Sequence, residues 1–311
     1  MAMKPQMAAL VEKVASLGLP PIHTLPPPAA REQMLAMVRA RQVPIVEVGS
    51  IEDRTIPGPV GDMPVRIYRP EGRNEPGGLV YFHGGGHVIG DIETHDSVAR
   101  ALCKEGGCLV MSVDYRMGPE HKFPAAIEDG YAAVKWLAEH AGDYGFPADK
   151  IAVGGDSAGG NEALVMSLMA REHGGPKIAF QLLVYPVLCY GTPTPTYETY
   201  GKGFGPLESE SMAYFRDHYL NGPEDYEDWR ASPRAAKDFK GLPKTLLFTA
   251  QCDVLNHEGC ELAERLKADG VDVEHKDWEG MIHGFFGMAP MIDDAVEAQS
   301  LAARRLREAL S

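Results

Sequence analysis

Five short, almost wholly apolar runs constrain this chain more than any other feature: residues 79–82, 108–113, 151–153, 180–185 and 246–249. Helical patterns lie between them at 123–140, 157–172 and 259–268. A strand that is apolar on both faces must be covered on both faces, and parallel neighbours need a long crossover, usually a helix. An α/β fold follows, with a mostly parallel central sheet flanked by helices. Further strands are expected at 45–51 and 64–69, and a last one at 271–278.

Two stretches break the alternation. Residues 1–42 hold two amphipathic segments, 6–17 and 30–41, separated by Pro20, Pro21, Pro26, Pro27 and Pro28. Proline fixes φ and removes a helix donor, so two short helices around a stiff linker are expected. Residues 187–232 begin around Thr192-Pro193-Thr194-Pro195-Thr196, continue with a helical pattern at 207–220 and are rich in Tyr, Phe and Met. An insertion of this kind, on the edge where strands end, is placed to cover a site. The expected order is N-terminal cap helices at 1–42, core at 43–186, a cap insertion at 187–232 and the rest of the core at 233–311.

Composition removes several function classes. The 44 acidic and 30 basic residues give a net charge of −14, which repels phosphate backbones and anionic lipid, so no nucleic-acid partner is expected. The longest apolar stretch, 178–190, is interrupted by Gln181 and Pro186 and is shorter than the ~18 residues that span a bilayer. Lys4 is followed by Pro5, Gln6, Glu12 and Lys13 rather than by an apolar signal core. A cytoplasmic protein with no stable membrane association is the expectation. Cys103, Cys108, Cys189, Cys252 and Cys260 are odd in number and form no CxxC pair, which suits free thiols in a reducing compartment. Cys252, beside a candidate catalytic residue, is expected to be packed rather than reactive.

Gly155-Asp156-Ser157-Ala158-Gly159 joins an apolar strand to a helical run. A tight turn there lifts a serine hydroxyl above the sheet, and its glycines avoid the clash that side chains would make. Phe82-His83-Gly84-Gly85-Gly86-His87 ends another strand and leaves backbone amides uncovered, as a developing oxyanion needs. A phosphate loop would end in Gly-Lys-Ser/Thr, which is absent. His83 is expected to brace this loop rather than take protons. A serine needs a base, and the base an orienting carboxylate. In the chain order Ser, Asp, His, the candidates are Asp253 after the run 246–249 and His283 after the last strand. His257 and His275 are rivals for the base, and Glu258 and Glu279 for the acid. His83, His87 and His95 lack the spacing of a metal site, so no metal is expected.

Phe82-His83-Gly84-Gly85-Gly86, Asp114-Tyr115-Arg116-Met117-Gly118-Pro119-Glu120, Phe123-Pro124-Ala125-Ala126 with Asp129, Gly155-Asp156-Ser157-Ala158-Gly159-Gly160, Asp253 and Ile282-His283-Gly284-Phe285 occur in this order. Together they resemble the bacterial hormone-sensitive-lipase-like carboxylesterases from about residue 60 onward. The resemblance implies an α/β-hydrolase fold with a helical cap, oxyanion donors on Gly85, Gly86 and Ala158, a loop shaped by Gly84, and cofactor-free action on short to medium acyl esters. Two stretches depart from the family pattern, the one after the acid and the one before Pro119-Glu120. Val254 replaces a proline after the acid, and His257 stands where a second aspartate is usual. Met117-Gly118 replaces the customary Leu-Ala.

The expected reaction is attack by Ser157 on a small ester, with His283 as base and Asp253 holding it, and with loss of activity as His283 protonates. Tyr185, Phe204, Met212 and Phe215 are candidates for the acyl pocket. An amidase, lactonase or carbamate hydrolase would use the same residues. The plant gibberellin receptors resemble this fold without its catalytic histidine, which is present here as His283. A lipase on long-chain fat would want a broad apolar interfacial helix, and none stands out. A monomer and a homodimer both fit.

Overall fold

A computed structural model describes residues 2–72 and 76–311. The strands, in chain order, are β1 (Ser50–Gly58), β2 (Gly61–Arg69), β3 (Gly78–Phe82), β4 (Leu109–Val113), β5 (Ile151–Asp156), β6 (Phe180–Val184), β7 (Lys244–Cys252) and β8 (Val273–Ile282). They form one sheet in the order β1-β2-β4-β3-β5-β6-β7-β8. β1 and β2 form an antiparallel edge, β2 meets β4 antiparallel, and β3 to β8 run parallel. The helices are α1 (Pro5–Ala15), α2 (Pro27–Ala40), α3 (Asp96–Gly106), α4 (Ala125–His140), α5 (Ala158–His173), α6 (Pro195–Tyr200), α7 (Ser209–Tyr219), α8 (Asn256–Ala268) and α9 (Asp293–Leu310). α3 and α9 pack together on one face, α4 and α5 cover the other, and α8 lies against β7 and β8.

The central strands β3, β4, β5 and β6 are buried throughout, which is why they read as unbroken apolar runs. β1 is exposed along most of its length because it has a neighbour on one side only. The strand expected at 45–51 begins instead at Ser50. Ser50 already pairs with Arg69, the last residue of β2, so nothing remains for 45–49 to pair with, and Ile45 is 70% exposed. Prolines expected in linkers start helices: Pro27 and Pro28 open α2, and Pro195 opens α6. The first helical residues have no intrahelical acceptor for their N–H groups, so proline is harmless there.

Register brings the loops together. Phe82 pairs with both Gly155 and Val113, and Asp156 pairs with Val184, so the loop after β3, the turn at Ser157 and Tyr185 leave the sheet side by side. A bulge between Ala250 and Cys252 then pairs Cys252 with Ile282, and the next residues are Asp253 and His283. Residues 1–42 and 187–232 meet over this edge, where α7 packs on residues 22–24. Among the described residues no helix is long and apolar enough to cross a membrane.

Phe248, in the middle of β7, is fully buried, edge-on to Trp278 at 5.5 Å and close to Phe286 at 6.2 Å. Phe248→Ala leaves a cavity that three elements cannot close together. It should cost about 3–5 kcal/mol in urea unfolding, and a loss below about 1 kcal/mol would show that the aromatic cluster repacks.

Candidate active site

Ser157 sits in the left-handed region at φ 58 and ψ −117, between the end of β5 and the start of α5. That conformation costs a non-glycine residue about 1–2 kcal/mol. It is held by neighbours: the Ser157 N–H donates to the Val184 carbonyl at 2.9 Å, and Asn161 N–H donates to the Ser157 carbonyl at 3.0 Å. A Cβ on Gly159 would run into the Phe82 carbonyl, so β3 can pass this close only because that position is glycine.

His283 faces the serine. Its Nε2 lies 2.9 Å from Ser157 Oγ, and its Nδ1–H donates to Asp253 Oδ2 at 2.7 Å. The other oxygen of Asp253 accepts the Leu255 N–H at 3.0 Å. This fixes the tautomer, because a carboxylate can only accept from Nδ1, leaving Nε2 free to accept from the serine hydroxyl. Tyr185 packs its ring 4.7 Å from the imidazole, and Phe285 stands edge-on to Tyr185 at 5.7 Å. Both Asp253 and Tyr185 are buried.

The loop after β3 is built around its glycines. Val88 N–H and Ile89 N–H both donate to the Gly85 carbonyl, at 3.1 and 2.9 Å. Gly86 lies at φ +63, and a side chain there would strike the Phe215 ring of α7. The amides of Gly85 and Gly86 donate to no acceptor among the described residues, and neither does that of Ala158, the first residue of α5. These three amides, two in the loop after β3 and one at the start of α5, are therefore left without an acceptor among the described residues.

A buried polar frame holds the loop. Asp156 Oδ1 accepts from the Tyr81 hydroxyl at 2.7 Å and from Gly84 N–H at 3.2 Å, and His95 Nε2 lies 3.4 Å away. Burial opposes ionisation of Asp156, but His95 and these hydrogen bonds outweigh it and hold the carboxyl below its ordinary value. His83 Nδ1–H donates to the Gly84 carbonyl at 2.9 Å, and the Tyr115 hydroxyl donates to the His83 carbonyl at 2.7 Å. Burial, with His95 nearby, pushes His83 down to about 4, so it is neutral near pH 7 and suited to bracing.

The rivals stand elsewhere. His257 is exposed on α8, His275 hydrogen-bonds Thr249 at 3.0 Å, and Glu279 is exposed. Glu258 is buried but accepts the Leu188 N–H at 2.7 Å, and burial lifts its carboxyl to about 8. Cys252 is buried, which raises its thiol above the ordinary value. Of the pocket candidates, Phe215 meets the loop at Gly86, Tyr185 backs the imidazole, Phe204 is half-buried beside Tyr200, and Met212 is buried one turn before Phe215. Sequence reasoning missed Asp156, Tyr81 and Tyr115 as supports, although Asp156 and Tyr115 both stand inside the motifs. Among the described residues no group of three or more His, Cys, Asp or Glu could hold a metal ion.

A family model described as alpha/beta hydrolase fold matches residues 79–287. Carboxylesterase NlhH of Mycobacterium tuberculosis is 39% identical over 267 residues, covering 84% of this chain and 83% of that protein. Ethyl acetate hydrolase of Pseudomonas putida is 32% identical over the full length of both proteins. A solved hyperthermophilic esterase from the archaeon Pyrobaculum calidifontis superposes with a TM-score of 0.94 at 37% identity, covering 100% of both chains. Sheet order, the strand-to-helix turn at Ser157 and these likenesses agree: the chain belongs to the alpha/beta hydrolase fold family, among its hormone-sensitive-lipase-like carboxylic ester hydrolases.

Proposed function

We propose that the chain hydrolyses short- to medium-chain acyl esters through a covalent acyl-serine. The observation that carries this is the unbroken line from Ser157 Oγ through His283 to Asp253, at 2.9 and 2.7 Å, beside three unpartnered amides. Ser157 Oγ attacks the ester carbonyl carbon as its proton passes to His283 Nε2. The carbonyl oxygen becomes an oxyanion against the amides of Gly85, Gly86 and Ala158. When the intermediate collapses, the proton on Nε2 goes to the leaving alkoxide, and the alcohol departs. A water then gives its proton to Nε2 and attacks the acyl carbon, and the second collapse returns that proton to Ser157 and frees the acid. Asp253 stabilises the imidazolium through its hydrogen bond to Nδ1.

The N-terminal arm and the 187–232 insertion act as a cap, and their Phe204, Met212 and Phe215 bound the acyl side. Phe215 lies against Gly86, which supports a bounded acyl side, and the name of the Pseudomonas putida relative specifies an acetate ester.

Ser157→Ala should lower turnover of p-nitrophenyl butyrate by at least about a thousandfold without changing the melting temperature. Retained turnover in that variant would sink the mechanism, and laurate preferred over acetate and butyrate would sink the acyl-length assignment. Gly86→Ala forces the loop away from Phe215 and out of its left-handed conformation. Its kcat should fall about 100-fold, as for loss of one oxyanion donor, while near-normal kcat would show that the Gly86 amide is not among them.

A further inference from the structure

The wall behind the three-glycine loop is polar where a packed core is ordinarily apolar. His87 directly follows Gly86 and is itself left-handed at φ 58, a cost of about 1 kcal/mol for a non-glycine residue. Its ring is fully buried, stacked on Tyr219 with centroids 4.0 Å apart, and its Nδ1 lies 3.2 Å from the Tyr190 hydroxyl. Among the described residues its Nε2 has no hydrogen-bond partner, and it faces Glu162 Oε1 at 3.8 Å. Glu162 is equally buried, and neither of its oxygens has a partner among the described residues. It follows Ala158 by one helical turn, about 6 Å along the axis, and helical side chains lean back toward the N-terminus. The triad and its frame use neither group, and buried polar atoms are rarely left unpaired without a reason.

We propose that His87 and Glu162 are a positioning pair for the oxyanion hole: the Glu162 carboxylic acid donates to His87 Nε2, locks the ring, and so holds the left-handed backbone that aims the Gly86 amide. This rests on the assignment of Gly85, Gly86 and Ala158 as oxyanion donors. A shift of about 1 Å brings the two atoms to hydrogen-bond distance. The hydrogen bonding is self-consistent, since Nδ1–H then donates to Tyr190 and Nε2 is left to accept. His87 thereby ties the loop to the insertion through Tyr190 and Tyr219, and to the nucleophile helix through Glu162.

The pair works uncharged. Besides His87, the groups around Glu162 are Tyr115, Tyr190 and Tyr219, together with Asp129 of α4, whose own charge is taken up by Arg116 at 2.8 Å. Among the described residues no cation is left to pair with a Glu162 carboxylate. Burial therefore raises the Glu162 carboxyl well above its ordinary value, and Asp129 adds to the rise. Burial, with His83 nearby, holds His87 down to about 3. A carboxylic acid raised on folding contributes stability that is fully present below its unfolded pKa and is lost as pH rises toward the folded one. A carboxylate here would also oppose the developing oxyanion, which the neutral acid does not.

Two measurements on the full chain test the pair. In urea unfolding between pH 5 and 7, the wild-type unfolding constant divided by that of Glu162→Gln should rise by up to about tenfold per unit, the limit for one proton. The titration of His87 is common to both proteins and cancels. A ratio that stays flat or falls over this range marks an ionised pair and overturns the proposal. His87→Phe keeps the stack on Tyr219 but removes the acceptor. Its kcat on p-nitrophenyl butyrate should fall about tenfold with KM within about twofold, because only transition-state stabilisation is lost. Should Glu162 unfold that variant, His87→Phe/Glu162→Leu replaces both groups by apolar ones and is expected to show the same split. Full kcat in either folded variant overturns the positioning role. If Ser157→Ala is inactive while these variants are fully active, the pair alone is refuted; if Ser157→Ala retains turnover, the site assignment itself has failed.

Discussion

Parallel strands end on one edge of a sheet, and that constraint decides where chemistry can be built in this molecule. Six consecutive neighbours, from β4 across to β8, deliver the loops at Tyr115, His83, Ser157, Tyr185, Asp253 and His283 to the same rim. No residue of the triad is near another in sequence. Their distances follow from which strands pair and in what register. The bulge at the end of β7 matters most, since a shift of one residue there would turn Asp253 to the opposite face of the sheet.

The polar groups around that rim are kept neutral or tightly held. His83 is pushed down to about 4 and His87 to about 3 by burial, while Glu258 is lifted to about 8. Asp156 is instead kept ionised by His95 and by the Tyr81 and Gly84 donors. In a site of low dielectric, a stray charge a few ångströms from a developing oxyanion alters the barrier by far more than it would in water. The arrangement leaves directed dipoles and few free charges near the serine, as electrostatic preorganisation requires.

Much of this was legible in the sequence, for physical reasons that differ by region. Buried strands announce themselves because both faces must be apolar, so β3, β4, β5 and β6 were visible as runs. The turn at Ser157 was visible because β3 passes so close that Gly155 and Gly159 have no alternative. What could not be read were tertiary choices. The segment 45–51 is apolar enough for a strand, yet β2 ends at Arg69 and offers it no partner. Tyr185 is a pocket candidate by composition alone, and only its place beside Ser157 in the register shows that its ring lies against His283. His257 stands where a second aspartate is usual. Asp253 is nevertheless supported by the Leu255 amide, and His257 faces solvent. Backbone support of this kind leaves no trace in residue identity.

The N-terminal arm bears on the same site through one residue. Arg31 of α2 donates to the Val88 carbonyl at 2.8 Å, to the Gly118 carbonyl at 2.8 Å and to both oxygens of Glu120 at 2.9 and 2.7 Å. The ion pair is half open to water, and exposed pairs contribute only about 0.2–1 kcal/mol. The two carbonyl contacts weigh more, because a charged donor to a partly buried carbonyl contributes about 1.5–3 kcal/mol. Val88 lies two residues beyond Gly86, and the Gly118 N–H donates to the His87 carbonyl at 2.8 Å. Arg31 therefore grips the three-glycine loop from behind while Phe215 of α7 presses it from above, so the backbone that presents the Gly85 and Gly86 amides is clamped between the arm and the insertion. An arm displaced from the core would leave the serine, histidine and aspartate in place and still loosen the donors beside them.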